Sequence, residues 1–281
     1  MSGGAESQVY RVTVDGAHAA TVVVKTCTAA RLVDDPDLFT RQAQVLAAVR
    51  SGVEAVPRPL FVDADGSLTG QACLIMDDIH PASAYIPAAE LTKRCFVLGA
   101  MLARIHDTAA PAEAQPWRAG RYPHFGVPAL EQFNGVITPA SQAVFAGWCA
   151  QLSKAPVAEV LIHGDFHPGN VLWGDDGRVA GVVDWDYPSL GAAGFDLAHC
   201  RADLVLIAGT EAAQALLAGY EQKRGPVADM ALWDVHRGIA ALASFPLWMA
   251  NLAPVGFPLD EPVMRARLTE FVRLRAASLT G

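Results

Sequence analysis

The chain opens on short apolar runs of the kind extended backbone favours. Val9–Val14 and Ala20–Thr26 are rich in β-forming residues and are joined by Asp15-Gly16-Ala17-His18, so together they predict a hairpin. The period then changes. Across 37–50, Leu38, Val45, Leu46 and Val49 share one face of a predicted helix. Pro59–Asp63 and Gln71–Asp77 read as a second strand pair around Asp65-Gly66. From about residue 88 the pattern is helical: Leu91, Cys95, Leu98, Leu102 and Ile105 recur at three- and four-residue steps and predict an amphipathic helix ending near His106. Residues 111–140, rich in Pro and Gly, read as a loop or insertion; helices are expected at about 140–152 and from 196 to the end. Only the block 160–187 breaks the helical pattern, with apolar runs separated by turn residues.

This order predicts an α+β fold of two lobes. Residues 1–77 form a small β-rich lobe, a connector lies near Met76–Ile79, and residues 78–281 form a larger, mainly helical lobe. With 52% hydrophobic and 18% charged residues the composition is globular. Apolar stretches such as Val22–Val24 and Ile239–Phe245 are too short to cross a bilayer, and the chain shows no signal-peptide pattern. Five scattered cysteines without CxxC spacing read as reduced thiols, not a zinc site, and point to a cytoplasmic protein. A net charge of −8 argues against a nucleic-acid surface. Between Glu159 and Asp203 lie eight acidic and two basic residues, a solvated face or a metal site beside a pocket for a cationic ligand.

The chemistry concentrates in "VLIHGDFHPGNVLWGDDGRVAGVVDWDY". Val171–Trp173 and Val179–Val183 read as two strands joined by Asp175-Asp176-Gly177. A hairpin returns the end of its second strand to the start of its first, so Asp184 comes back beside Asn170 and Asp165. An amide oxygen with one or two carboxylates is a hard-oxygen set suited to Mg²⁺. Asp165, off the metal, is free to orient a hydroxyl and accept its proton.

The H-G-D-x-H-P-x-N loop and the D-W-D that follows resemble the protein-kinase-like fold, and within it the aminoglycoside phosphotransferase and choline kinase group. "SGGAESQVYRV", "VVVKT", "LARIHD" and "FDLAH" extend the resemblance over most of the chain. Protein kinases share the Asp-x-x-x-x-Asn spacing but follow the metal Asp with Phe-Gly and an activation loop, which this chain lacks. The resemblance implies a small-molecule kinase with Asp165 catalytic and with Asn170 and Asp184 holding Mg²⁺ on the phosphates of ATP or GTP. It implies that His163 supports the loop and that Asp196 braces it. Lys25 is expected on the α/β-phosphates, Ser2-Gly3-Gly4 in the phosphate loop with Ser7 nearby, and Met76, Asp77 and Ile79 along the base. His167 touches the transferred phosphate or braces the loop. His106 reads as a helix cap, and His80, His124, His199 and His236 as structural.

Two departures from the group stand out. The chain starts almost inside the Gly-rich loop, so the strand that usually precedes that loop is either missing or lies upstream of this start, and Gln42 stands where a Glu usually pairs with the lysine, leaving Asp35 or Asp37 as possible substitutes. These are the only support for a rival reading, a degenerate kinase-like binding protein. The partners expected are a nucleotide and a small-molecule hydroxyl acceptor, with no nucleic acid and no membrane. The acidic segment suits a cationic acceptor such as an aminoglycoside or basic cyclic peptide, with resistance as one purpose. Macrolides, ketosamines, choline-like alcohols, homoserine and sugars stay open as acceptors, the last four as substrates of a metabolic kinase. Asp186, Asp203 and Glu221 are the expected contacts to substrate amines, with Trp117, Tyr122 and Phe125 along the acceptor wall.

Overall fold

The first part of the chain builds a four-stranded antiparallel sheet. In a computed structural model that describes residues 7–14, 20–80, 86–115, 128–154, 159–246, 249 and 260–281, β1 (Ser7–Val14) and β2 (Ala20–Cys27) pair in the register Ser7↔Cys27 to Val14↔Ala20. β3 (Pro59–Asp63) and β4 (Cys73–Asp77) complete it in the order β1-β2-β4-β3. β1 is therefore an edge, and Tyr10, Val12 and Val14 on it are exposed. Between β2 and β3 come a short helix that the apolar pattern does not predict, α1 (Ala29–Asp34), and then α2 (Leu38–Arg50). Thr28 starts α1 by accepting a hydrogen bond from the Arg31 amide. α2 buries Leu38, Val45, Leu46 and Val49, the face its periodicity predicts, and Phe39 and Gln42 are buried with them.

The larger part is helical. α3 (Ala88–His106) lies against α6 (Thr210–Arg224), and α5 (Ala193–Ala208) packs on α6 and α7 (Met230–Ala243). α8 (Glu261–Ala277) covers α7, and α4 (Pro139–Leu152) lies toward the same end. The α3–α6 contact is unusually close because two glycines face backbone. A Cβ on Gly99 would stand 1.9 Å from the Leu216 carbonyl oxygen, and one on Gly219 would stand 2.0 Å from that of Phe96. α5 is buried along almost its whole length, as expected of the central helix of such a bundle. Its polar residues Asp196, His199 and Asp203, spaced three and four apart, share one face.

Two small ladders sit between sheet and helices. β6 (Val171–Trp173) and β7 (Val179–Val182) form the expected hairpin, with Val171 opposite Val182. β5 (Val160–Ile162) pairs with β8 (Ser189–Gly191), a strand too short to show any period in the sequence. All five cysteines are free, and no described helix is long and apolar enough to cross a membrane.

Candidate active site

Residues 163–170 leave β5 and turn back into β6. Gly164 makes the turn possible: its φ is +86°, and a Cβ there would stand 2.2 Å from the Tyr187 carbonyl oxygen. His163 braces the loop from inside. Its Nδ1 accepts from the Asp165 amide (3.2 Å), so its proton lies on Nε2, which donates to the Val183 carbonyl (3.0 Å). Burial pulls its basicity down, in keeping with a neutral ring. His167 caps the short 3₁₀ turn Pro168–Asn170 by accepting from the Gly169 amide, 3.1 Å away. Of the two roles expected for His167, this contact is the bracing one.

Asp196, at the start of α5, reaches under the loop. Its carboxylate accepts from the His163 amide (2.7 Å) and the Gly164 amide (2.9 Å) and lies 3.2 Å from His106 Nε2. The other ring nitrogen of His106 is 2.8 Å from the Tyr220 hydroxyl. His106 therefore does not cap α3 at the surface. It is buried, because the last turn of α3 points at the pair formed by α5 and α6. Burial would push the Asp196 carboxyl up, but the His106 bond and the His163 amide outweigh it, and its pKa is lowered.

The loop is fastened directly to the segment that follows β7 and carries Asp184. The Val183 amide donates to the Asn170 carbonyl (2.9 Å), while His163 holds the Val183 carbonyl. Asp184 then takes φ +65°, a left-handed conformation that Asp tolerates better than most residues. The Asn170 amide nitrogen lies 3.0 Å from the Asp165 carbonyl and 3.4 Å from its Oδ2. Asp165, Asn170 and Asp184 are thus neighbours held by backbone bonds.

Lys25 arrives from β2 and is buried. It pairs with Asp184 Oδ1 at 2.6 Å and with Asp186 Oδ1. Burial would lower its pKa, but Asp186 first and Asp184 second outweigh that and raise it. The missing glutamate is explained here. Asp186 supplies the countercharge, and Gln42 Nε2 donates to the same Asp186 Oδ1 at 3.0 Å. Neither Asp35 nor Asp37 substitutes; Asp35 pairs with Arg41. Ser7 Oγ closes the cluster on Asp186 Oδ2 at 3.1 Å.

Two of the expected contacts to substrate amines, Asp186 and Asp203, are corrected. Asp186 is not at an acceptor wall, because its carboxylate is taken up by Lys25, Gln42 and Ser7. Asp203 lies beneath the catalytic loop with its side chain 4% exposed, 3.7 Å from His167 Nδ1. Glu221 sits near the end of α6, and no hydrogen bond or ion pair among the described residues ties it to the site. The Asp77 amide donates to the Arg58 carbonyl (3.0 Å), so it is not open to a base. Met76 is buried in β4, and Ile79 packs on Gly181 of β7. Gly3, Gly4, Trp117, Tyr122 and Phe125 lie outside the described residues.

The sequence reads His199 as structural, yet its Nε2 lies 3.0 Å from Asp165 Oδ1. Burial would push the Asp165 carboxyl up, but the His199 bond and the nearby His167 outweigh it and hold it well below the usual carboxylate range. The signal that could have found His199 is its place between Asp196 and Asp203, one turn from each, on a single face of a mostly apolar helix.

Among the described residues no group of three or more His, Cys, Asp or Glu forms a metal site by itself. Asn170 and Asp184 offer two hard oxygens, and the Asp184 side chain is 41% exposed. That donor set fits a divalent ion such as Mg²⁺, which keeps waters and takes other ligands from phosphates.

The profile of the phosphotransferase enzyme family (APH) matches residues 1–238. Homoserine kinase of Neisseria meningitidis serogroup B is 27% identical over 206 residues, 69% of this chain and 64% of that protein. Among solved structures, a thermostable mutant of aminoglycoside phosphotransferase APH(4)-Ia, in ternary complex with ADP and hygromycin B, aligns with a TM-score of 0.59 and 16% identity. It covers 100% of this chain and 93% of its own. The amicoumacin kinase hAmiN, in complex with AMP-PNP, Ca²⁺ and Ami, aligns at 0.57 and 16% identity, covering 97% and 87%. These structural likenesses establish a kinase-like fold.

Proposed function

The chain belongs to the phosphotransferase enzyme family, and from that premise we propose that it moves the γ-phosphate of ATP or GTP to a hydroxyl of a small molecule through the cluster around Asp165. The observation that carries this reading is the fastening of the Asp165 loop to the segment after β7 that carries Asp184, with Lys25 beside Asp184. Residues 1–77 serve as the nucleotide lobe and 78–281 as the catalytic lobe. Asp165 orients the acceptor hydroxyl and takes its proton as the acceptor oxygen bonds to the γ-phosphorus and the bond to the nucleoside diphosphate breaks. Asn170 and Asp184 would hold Mg²⁺, which supplies charge neutralisation on the phosphates. Lys25 adds a fixed positive charge. Positioning and electrostatics are the larger part of phosphoryl transfer, so this short list suffices. The ADP and AMP-PNP in the two structural neighbours support the nucleotide, and the Ca²⁺ in one supports a divalent ion.

For the acceptor we favour the cationic antibiotic class, in view of the hygromycin B bound by one neighbour. The acidic segment gives it less support than its composition suggests, since Asp186, Asp196 and Asp203 are internal to the site. The homoserine kinase relative favours a second reading, a small amino alcohol. A coupled ADP-release screen with ATP and GTP against aminoglycosides, basic peptides, macrolides, homoserine, choline and sugars separates them. Asp165→Ala is expected to abolish turnover while MgATP still raises the melting temperature. Retained turnover in that variant would overturn the assignment.

A further inference from the structure

The ring of His199 joins two groups from different helices. Its Nε2 faces Asp165 Oδ1 at 3.0 Å, and its Nδ1 lies 2.7 Å from Arg237 Nη2 on α7. A guanidinium has donors and no acceptor, so Nδ1 must accept, and the ring proton then lies on Nε2, toward the carboxylate. Arg237 is itself well placed for this. It is buried, and its guanidinium carbon stands 5.1 Å over the Phe195 ring, which limits how the planar group can turn. Burial draws it down to about 10, against the pull of Asp203 and Asp165, so it is still a cation near neutral pH.

We propose that Arg237 sets the tautomer of His199, and that His199, so held, is a positioning residue for Asp165. It donates to Oδ1 and so leaves Oδ2 to meet the acceptor hydroxyl. Oδ2 lies 3.4 Å from Asn170 Nδ2 and 3.8 Å from His167 Nε2, so its other neighbours hold it more loosely than His199 holds Oδ1. A carboxylate can rotate about its last torsion; a fixed donor on one oxygen restricts that rotation. This inference rests on Asp165 being the base, as proposed above. The arrangement has the logic of a base oriented by a third group, carried one step further by the guanidinium.

Two measurements test it on the full chain. Long-range ¹H–¹⁵N correlation spectra near neutral pH, with His199 assigned by its loss in His199→Gln, read the tautomer without any acceptor. A proton on Nε2 alone is expected; a proton on Nδ1, alone or with Nε2, overturns the proposal. The second measurement is MgATP hydrolysis with water as acceptor, followed as ADP release. His199→Phe is expected to lower kcat about 100-fold, the loss a misplacement of roughly an ångström brings, with KM for MgATP unchanged. His199→Gln, whose amide nitrogen can reach the position of Nε2, recovers most of that loss. In an Asp165→Asn background His199→Phe has no further effect, whereas an equal loss in both backgrounds overturns the proposal. If His199→Phe does not fold, the His199→Gln pair and the tautomer decide. Wild-type turnover in Asp165→Asn alone would instead sink the reading of Asp165 as base.

Discussion

Replacing Asp196 with Ala should damage the site from below. The wild-type carboxylate is fully buried and takes the His163 and Gly164 amides at 2.7 and 2.9 Å, with His106 Nε2 at 3.2 Å. The substitution leaves all three donors without their acceptor. A buried donor left unsatisfied costs roughly 1–3 kcal/mol, so three cost about 3–9 kcal/mol. Removing the carboxylate also removes its own desolvation penalty, and a water in the vacated space can satisfy one donor, so the lower half of that range is expected. We take about 4 kcal/mol. At roughly 2 °C per kcal/mol for a chain of this size, the melting temperature falls by about 8 °C. The same two amides shape the backbone on either side of Gly164, so kcat should fall about 100-fold in the folded variant. Urea denaturation followed by circular dichroism gives the first figure, and ADP release with the best acceptor gives the second. A loss under about 1 kcal/mol, or a folded variant with wild-type kcat, refutes the claim that Asp196 holds the loop.

Two further outcomes follow from the charge arrangement. Gln42→Glu restores the residue usual in related kinases, yet here it places a carboxylate against Asp186, which accepts from the Gln42 amide in the wild type. It should destabilise the protein by about 1–3 kcal/mol in urea melts near neutral pH, and a gain in stability would contradict this account of the Lys25 cluster. The second outcome is acid sensitivity. The folded-state Asp196 carboxyl titrates below its ordinary 3.8. Below that value the unfolded chain takes up a proton that the native state does not, so this contribution is present above 3.8 and is lost as pH falls through the folded value. Urea midpoints at about pH 5 and about pH 3 should therefore differ less in Asp196→Asn than in the wild type.

Much of this site can be read from neighbouring residues. The hairpin of β6 and β7 and the loop before it are local, and their turn residues and apolar runs predict where Asp165, Asn170 and Asp184 meet. The rest depends on distant pairs. Lys25 and Asp186 are 161 positions apart, so nothing local shows that Asp186 takes the place of a helix glutamate. β8 has three residues and pairs with β5 across the whole catalytic block, too short a run for any period to appear. The histidines are the least legible. His106, at the end of α3, reads as a cap, and His199, among the apolar residues of α5, reads as structural. Only the tertiary contacts of α3, α5 and α6 turn them toward Asp196 and Asp165.

The close crossing of α3 and α6 carries an implication for screening mutants. Gly219 touches the Phe96 backbone, and the next residue, Tyr220, reaches His106, which reaches Asp196 and the loop amides. The separation of two helices at the back of the molecule thus sets the height at which the catalytic loop rides. A single added methyl at Gly99 or Gly219 acts as a shim, lifting the far end of this linkage without touching any reacting group. Variants at that crossing would surface in an activity screen as apparent catalytic lesions, and their cause would be a spacing.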